Sequence, residues 1–447
     1  MALFRDRLRD VDWLASMIEG RKTWPVIRYA WAACQVFAAT WLCAGCLLEG
    51  TWIANNSAYA LLASCFSVHV DYTTAVALIA CCLVSLWSLL PKSKWGVAAC
   101  ICAAVCLIRM FATLISGDPH GVNILEVASL MITTALGLIA ATVNSNTQRS
   151  AVLVSVLIFV EAIYTIARYF TGLDAFYSGH VLRASGTYDG PDSLCRVLAP
   201  AVPLALAMCV RSTRSGDPWF MRALWLLVTL TTTLALVMTF DRGGVIAAAA
   251  SSAIILIWMR ASKQWIVCVV AIGLLSVVFV GTTRVADAVG VRSSQRSISS
   301  RFVLWEEAWM DFMRHPLTGV GQGRLILPIQ VGQLGAREEI GMLTPQNQGI
   351  FFLAEDGLAG TVVVSLLCVA IVMGLMRSRT YEACGLLGAW IALVICGATD
   401  DVYGIGGPAF APVNCLIGML IGTSLRTIGA QTDCIVAAAE CPVSACI

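Results

Sequence analysis

The sequence alternates between long apolar runs and polar connections, and each run is about as long as a membrane-spanning helix. A spanning helix needs roughly 20 apolar residues. Only 13% of the residues are charged and 59% are hydrophobic, whereas a soluble globular protein carries about a quarter charged residues. We therefore predict an all-α polytopic membrane protein with about twelve transmembrane helices. The predicted spans are residues 27–48, 73–90, 95–116, 123–143, 150–170, 194–211, 222–240, 244–260, 264–281, 358–376, 382–399 and 408–425.

The positive charges support this count and give the chain an orientation. With the N-terminus in the cytoplasm, every connection that is predicted to be cytoplasmic is basic, as the positive-inside rule requires. The lysines of the chain all fall on this side: Lys22, Lys92, Lys94 and Lys263. Residues 52–70 are also apolar but contain polar side chains, and a further span there would invert the pattern. We predict a re-entrant or interfacial segment at 52–70, with both termini in the cytoplasm.

The rest of the composition indicates one integral membrane domain. No linker or repeat interrupts residues 1–447, and the N-terminal region does not resemble a cleavable signal. The 19 cysteines lie mostly in apolar runs, where a thiol behaves as a small hydrophobe. With four histidines, a transition-metal site is not expected, and we expect no cofactor. A net charge of +2 gives no indication of a nucleic acid partner, and we expect none.

The largest connection, residues 282–357, is predicted to be a partly helical periplasmic loop that contains arginine but no lysine. Because the positive-inside rule disfavours cations on this face, these arginines need a reason to be there. Arginine suits bidentate binding of carboxylate or phosphate. They are Arg284, Arg292, Arg296, Arg301, Arg314, Arg324 and Arg337. The alternative, which we expect for part of them, is pairing with acidic residues of the loop: Glu306, Glu307, Asp311, Glu338 and Glu339.

Within this loop, residues 299–314 are predicted to form an amphipathic helix. Apolar side chains recur at helical spacing along one side, and the carboxylates point away from it. The apolar side consists of Phe302, Trp305, Trp309, Phe312 and Met313. Such a helix is suited to the surface of a bilayer. Pro316 follows its end, and Gly319, Gly321 and Gly323 predict an irregular connection.

Arg242 is the most informative single residue. It stands at the outer end of one predicted span, and Gly243 and Gly244 begin the next span after almost no loop. A charge at that depth is costly unless it is paired, which makes it a functional candidate. The glycines would allow a ligand or another helix to approach the backbone. The alternative is an arginine that extends to the interface and pairs with Asp241.

Further polar residues fall on the same predicted face. They are Arg183 and the segment up to Pro191, Arg196 in the helix that follows, Gln346 and Asn347 before a span, Glu355 and Asp356 at its start, and Asp400, Asp401 and Tyr403 at the outer rim. The two carboxylates at the start of the span suit a proton acceptor, an arginine partner or a helix N-terminal charge. We favour the last role for Asp356.

These segments resemble, in order, the motifs of the O-antigen ligase and O-antigen polymerase superfamily, which contains bacterial membrane glycosyltransferases. The resemblance covers roughly residues 180–425. An Arg-Gly-Gly motif begins at Arg242, although Asp241 stands where the family usually has Ser or Thr. The other similar residues are Gly186-Thr187 with Gly190-Pro191-Asp192, then Arg301, Trp305, Pro316, Gly319 and Gly321, then Pro345-Gln346-Asn347, and last Glu355-Asp356-Gly357-Leu358-Ala359-Gly360.

One departure from the family pattern bears on the reaction. Ligases of the family have a histidine, thought to be catalytic, at the position of Gln346. Glutamine cannot accept the proton of an acceptor hydroxyl, so another group has that role or the protein is not a ligase of the usual kind. The polymerase branch varies more at this position, which favours a polymerase.

The resemblance implies a glycosyltransferase of the bacterial inner membrane that acts on an undecaprenyl-diphosphate-linked glycan at the periplasmic face. Arg242 and Arg301, with Arg183 or Arg324, would stabilise the charge on the leaving lipid diphosphate. Glu355 or Asp241 would accept the proton, although a carboxylate buried beside arginines is expected to have a lowered pKa. The expected substrate-binding residues are Arg183, Arg196, Trp305, Arg324, Gln346 and Asn347.

The expected partners are the lipid-linked donor, an acceptor glycan or lipid, membrane lipids and a chain-length regulator. The predicted outer loops contain no Asp-x-Asp pair, so we expect a metal-independent reaction. The alternative activity is an O-antigen ligase that joins glycan to a lipid A-core or another acceptor. A lipid-linked sugar flippase or an assembly subunit is disfavoured, because the charged residues collect at one face and include convergent arginines.

Overall fold

The fold is described from a computed structural model of the chain. The structure describes residues 147–172, 176–178, 181–188, 190–263, 293–321, 327–330, 340–343, 345–400 and 416–424, with scattered residues between 265 and 278 and residues 325 and 427. The four spans that we predict before residue 147, and the segment 52–70, lie outside these residues.

Helices form most of the described structure. They are α1 (Thr147–Thr171), α2 (Pro191–Arg214), α3 (Trp219–Met238), α4 (Arg242–Trp258), α5 (Ser293–Arg314), α6 (Gln348–Arg377) and α7 (Tyr381–Thr399). Within the described residues, α1, α2, α3, α6 and α7 are long and apolar enough to cross a membrane, and α4 is a shorter apolar helix. An all-α membrane architecture is therefore confirmed for this part of the chain, and the total of twelve spans stays a prediction.

Two short β-hairpins depart from the purely helical expectation. Strands β1 (Phe176–Ser178) and β2 (Val181–Arg183) pair antiparallel, as do β3 (Leu327–Gln330) and β4 (Ile340–Leu343). In sequence, only two residues separate β1 from β2, and the first of them is a glycine, which is typical of tight hairpins.

Helix α2 is the centre of the bundle. Nearly all of its side chains are buried, and α3, α4 and α7 pack around it. Its fully buried residues include Leu194, Leu198 and Leu204. Because lipid tails are as apolar as these side chains, close packing and polar contacts, more than hydrophobicity, hold such helices together.

Polar contacts of this kind close one end of the bundle. Arg214 donates hydrogen bonds to the carbonyl oxygens of Met259 at 3.0 Å and Arg260 at 2.7 Å. Arg211 forms an ion pair with Glu382 at 3.2 Å. The ends of α2 and α4 and the beginning of α7 therefore meet here, in the basic connections that we predict to be cytoplasmic. Their opposite ends meet at the other side, where the candidate site residues lie.

Helix α6 is broken at Gly357, which has φ of 62° and ψ of −170°. The segment after α5 packs into the break. The N–H groups of Val320 and Gly321 donate to the carbonyl oxygens of Ala354 and Glu355, both at 2.9 Å. On the other side of the break, the N–H of Leu358 donates to a carbonyl of the same segment at 2.8 Å. This segment therefore satisfies backbone groups that the break would otherwise leave without a helical partner.

Candidate active site

The turn between α3 and α4 makes Arg242 the first residue of α4 and leaves its side chain exposed. Phe240 has a left-handed backbone with φ of 55°, which lets the chain reverse between the two helices. Asp241 is the N-cap of α4, and its carboxylate accepts a hydrogen bond from the Gly244 N–H at 3.2 Å. Arg242 does not pair with Asp241, and it forms no hydrogen bond or ion pair with any other described residue.

The two glycines after Arg242 are explained by helix packing. A Cβ on Gly244 would lie 1.8 Å from Sγ of Cys195 in α2. A Cβ on Gly243 would lie 2.5 Å from Oγ1 of Thr399, the last residue of α7. The glycines therefore let α4 begin directly against α2 and α7. Of the two readings left open by the sequence, the close approach of another helix is the one that the structure shows.

Asp241 lies in an acidic setting. Burial raises its pKa above the ordinary value, and the nearby carboxylates of Asp192 and Asp400 raise it further. The cation of Arg183 lowers this pKa, but its effect is smaller. The expectation of a lowered pKa is therefore wrong for Asp241, because desolvation outweighs the arginine.

Arg183 is buried, and its guanidinium group donates to other residues of the fold. Its Nε donates to the carbonyl oxygen of Thr239 at 2.8 Å, and an Nη atom forms an ion pair with Asp192, also at 2.8 Å. The neighbouring Ala184 N–H donates to the carbonyl oxygen of Met238 at 2.9 Å. Arg183 therefore fixes β2 against the turn that carries Arg242.

Arg196 on α2 also has a carboxylate partner. Its Nε and an Nη atom both donate to Oδ2 of Asp400, at 3.2 and 2.8 Å. Since Asp400 directly follows α7, this pair joins the beginning of α2 to the end of α7. Both arginines belong to the site end of the bundle, and their ion pairs stabilise its framework.

The residues around Arg242 form the first part of the site, and Arg301 and Trp305 form the second. The Arg301 Nε donates to Oε1 of Gln346 at 2.8 Å. One helical turn further along α5, the Trp305 Nε1 donates to the carbonyl oxygen of Pro345 at 2.7 Å. Gln346 itself has a left-handed backbone with φ of 49°. The structure thus brings these motif residues together, although they are remote in sequence.

Asn347 joins this second part to the first. It is the N-cap of α6, and its Oδ1 accepts from the N–H groups of Gly349 and Ile350 at 3.0 and 3.1 Å. Its Nδ2 donates to the carbonyl oxygen of Ala398 at 3.1 Å. Ala398 is followed by Thr399, which contacts the beginning of α4. A continuous series of contacts therefore runs from Arg301 to the helix that begins with Arg242.

Glu355 and Asp356 lie at the break of α6, directly before Gly357. Both side chains are buried, with 3% and 4% exposure. A Cβ on Gly319 would lie 2.2 Å from the carbonyl oxygen of Glu355. The glycine at position 319 of the sequence motif is therefore explained by the close contact between this segment and α6.

Helix α5 divides its apolar side chains between two faces. Leu304 and Ala308 are buried against Ala354 of α6. The Phe302 and Trp309 side chains, placed on one apolar side by the sequence, are 60% and 48% exposed. The predicted helix is confirmed and starts earlier, at Ser293. Leu304 and Ala308 form the side that packs on α6, so the side with Phe302 and Trp309 stays exposed, and its contact with a bilayer surface stays a prediction.

Three buried polar residues of α1 were missed by the sequence analysis. Glu161, Thr165 and Arg168 lie inside a run that we read only as a membrane span. The signal was present, since an ionisable residue inside a span is a functional candidate. Glu161 accepts hydrogen bonds from the N–H and the hydroxyl of Thr187, at 2.9 and 3.0 Å.

Several sequence-predicted residues lie outside the described part of the chain. They are Arg284, Arg292, Gly323, Arg324, Arg337, Glu338, Glu339, Asp401 and Tyr403. Of the loop arginines that we expected to pair with loop carboxylates, Arg314 does so, with Asp311 at 2.9 Å. Arg301 instead bonds the neutral amide of Gln346.

Residues 226–365 match the family model described as O-Antigen ligase. The matched stretch includes Arg242, Arg301, Gln346 and Glu355. No curated protein matches the chain. The resemblance to the O-antigen ligase and polymerase superfamily is thereby confirmed over this stretch. Together with the apolar helices, the match supports a membrane protein with a ligase- or polymerase-type role in glycan processing.

Proposed function

We propose that the protein polymerises undecaprenyl-diphosphate-linked glycan at the periplasmic face of the bacterial inner membrane. The match of residues 226–365 to the O-antigen ligase family model is the starting point of this proposal. The observation that carries this proposal is the pair Arg242 and Arg301. Both lie at the end of the bundle opposite the basic connections, and both keep donors that no other described residue uses.

The diphosphate of the donor lipid binds between these two arginines. Arg242 is exposed at the N-terminus of α4, where unpaired N–H groups and the helix dipole also favour an anion. Arg301 uses only its Nε for Gln346 within the described residues, so both Nη groups remain for phosphate oxygens. The guanidinium groups stabilise the negative charge that develops on the leaving diphosphate. This role makes a metal ion unnecessary.

A carboxylate accepts the proton of the attacking sugar hydroxyl. Asp241 is next to Arg242, and its raised pKa makes it a stronger base than an ordinary aspartate. Glu355 is the second candidate, at the break of α6. Gln346 orients the acceptor or the diphosphate through its amide, while Trp305 and Asn347 hold the turn that presents it.

Ligation is the alternative within the same reaction class. Transfer of one finished chain to a lipid A-core would use the same arginines with a different acceptor. Gln346 favours polymerisation, because the family's ligases have a histidine there. A flippase is disfavoured because the candidate residues gather at one end of the helices.

The arginine pair is tested with purified protein in lipid vesicles and an undecaprenyl-diphosphate-linked repeat unit. Arg242→Lys and Arg301→Lys keep the charge but lose the bidentate geometry, and each should reduce the rate roughly ten- to hundred-fold. Arg222→Lys is the matched control, since Arg222 is exposed and, among the described residues, donates to the carbonyl oxygen of Asp217 near the opposite end. Full activity in both test variants would refute diphosphate binding by these arginines.

The same assay separates the remaining alternatives. A ladder of products indicates a polymerase, whereas a single transfer to a lipid core indicates a ligase. Loss of activity with a chelator would contradict metal independence. We expect Gln346→Ala to keep partial activity and either Asp241→Asn or Glu355→Gln to lose much more. If only Gln346→Ala is inactive, neither carboxylate is the proton acceptor.

A further inference from the structure

A stripe of polar side chains crosses α1, although this helix is otherwise apolar. Glu161, Thr165 and Arg168 are spaced by four and three residues, so they lie on one face of the helix. All three are buried. Burying such groups in a membrane-spanning helix is costly unless they have partners, and the partners show what the stripe does.

All three side chains contact one short turn, Gly186-Thr187. The carboxylate of Glu161 accepts from the Thr187 N–H at 2.9 Å and from its hydroxyl at 3.0 Å. Arg168 donates to the carbonyl oxygen of Gly186. A Cβ on Gly186 would lie 2.3 Å from the Glu161 carboxylate and 2.5 Å from the Thr165 hydroxyl. A side chain at this position would therefore collide with α1. The φ of Gly186 is +60°, a left-handed conformation that also favours glycine.

The turn continues directly into contacts with the candidate site. Three residues before Gly186, Arg183 donates to the carbonyl oxygen of Thr239. Ala184 donates to that of Met238, the last residue of α3. These contacts hold the chain just before Asp241 and Arg242. The polar stripe of α1 is therefore connected to the turn that carries Arg242 through the Gly186-Thr187 turn and the end of β2.

We propose that Glu161 is a positioning residue, which acts through the Gly186-Thr187 turn and Arg183 to fix the backbone that presents Arg242. The proposal rests on the function proposed for Arg242 as a diphosphate ligand. Glu161 is fully buried, so it does not touch the substrate.

Hydrogen exchange tests the positioning role without any measurement of activity. The variants are Glu161→Gln and Thr187→Val, which keep the shape of each side chain. The amide of Thr187 donates to Glu161, and that of Ala184 donates to Met238. Both amides should exchange at least about tenfold faster in Thr187→Val and Glu161→Gln. Ser155→Ala is the control, because Ser155 is buried in the same helix and its hydroxyl donates to the carbonyl oxygen of Ala151, one turn earlier in that helix.

Unchanged exchange at Ala184 in both variants would overturn the proposal, because loss of the Glu161 contact would then have no effect on the hydrogen bond between Ala184 and α3.

A double-mutant cycle adds the catalytic readout. If Glu161 acts through Arg242, Glu161→Gln raises the KM for the donor lipid in the wild type and has a much smaller effect in Arg242→Lys. Equal effects in both backgrounds refute the route through Arg242. Inactive wild-type protein with faster exchange in the variants would instead refute the proposed function and leave the positioning contact intact.

Discussion

Gly319 tests how the segment after α5 packs into the break of α6. Its φ is +66°, and an added Cβ would lie 2.2 Å from the backbone oxygen of Glu355. Gly172 has the same φ of +66°, but no atom lies within 4 Å of its added Cβ. Alanine at either position has the same left-handed backbone cost, so only Gly319→Ala adds a collision.

The expected loss of stability follows from these contacts. A left-handed alanine costs roughly 1–2 kcal/mol, and we expect this loss alone for Gly172→Ala. At Gly319 the colliding atom belongs to the backbone, so the segment must withdraw from α6. Withdrawal breaks the hydrogen bonds that Val320 and Gly321 donate to α6. Each is worth about 0.5–1.5 kcal/mol, and more where a buried group loses its partner. We expect Gly319→Ala to lose about 3–6 kcal/mol.

Thermal unfolding in detergent measures the difference. Both variants are compared with the wild type by the fraction that stays monodisperse after heating, which does not depend on any assumption about the substrate. We expect a small shift for Gly172→Ala and a large one for Gly319→Ala. Equal shifts would show that the segment is not inserted into the break.

Three further results are expected. Gly244→Ala should lower the melting temperature, because the added Cβ would lie 1.8 Å from Sγ of Cys195. Adding Cys195→Ala should restore part of the loss, and a double variant that is no more stable would refute this contact. The raised pKa of Asp241 means that the folded protein binds this proton more tightly than the unfolded chain, so stability should fall as pH rises from 3.8 through the raised pKa. Asp241→Asn, which can still cap α4, should flatten that part of the profile, and an unchanged profile would contradict the shift. A reporter that requires export should be active after Gly323 and silent after Arg377; the reverse would place the site in the cytoplasm.

Local patterns in the sequence predicted the helices well. The predicted span 194–211 corresponds to α2, and 382–399 to α7, because long apolar runs leave few alternatives. The four-residue spacing of Arg301 and Trp305 places both on one side of the predicted helix. The spacing did not predict their neighbour, which the structure shows to be the turn at Pro345 and Gln346.

Contacts between remote segments could not be predicted from the sequence. Arg183 and Arg196 were expected to bind substrate, yet their partners in the fold are Asp192 and Asp400. Each side chain suits either role, and only the packing of distant helices decides between them. Glu161 was missed for a related reason, since its partner turn lies 26 residues away in sequence.

The break in α6 also suggests where to expect the membrane boundary. After Gly357, roughly 20 residues of α6 remain, or about 30 Å of helix, which equals the thickness of the hydrocarbon layer. The predicted span 358–376 begins at the same point. We therefore expect the first part of α6, with Gln346 and Asn347 before it, to project into the headgroup region. Glu355 and Asp356 would then lie at the boundary itself, at the depth where the diphosphate of a lipid carrier meets its hydrocarbon tail. On the proposed function, the kink would match the depth of the protein's polar groups to that of the lipid's own headgroup.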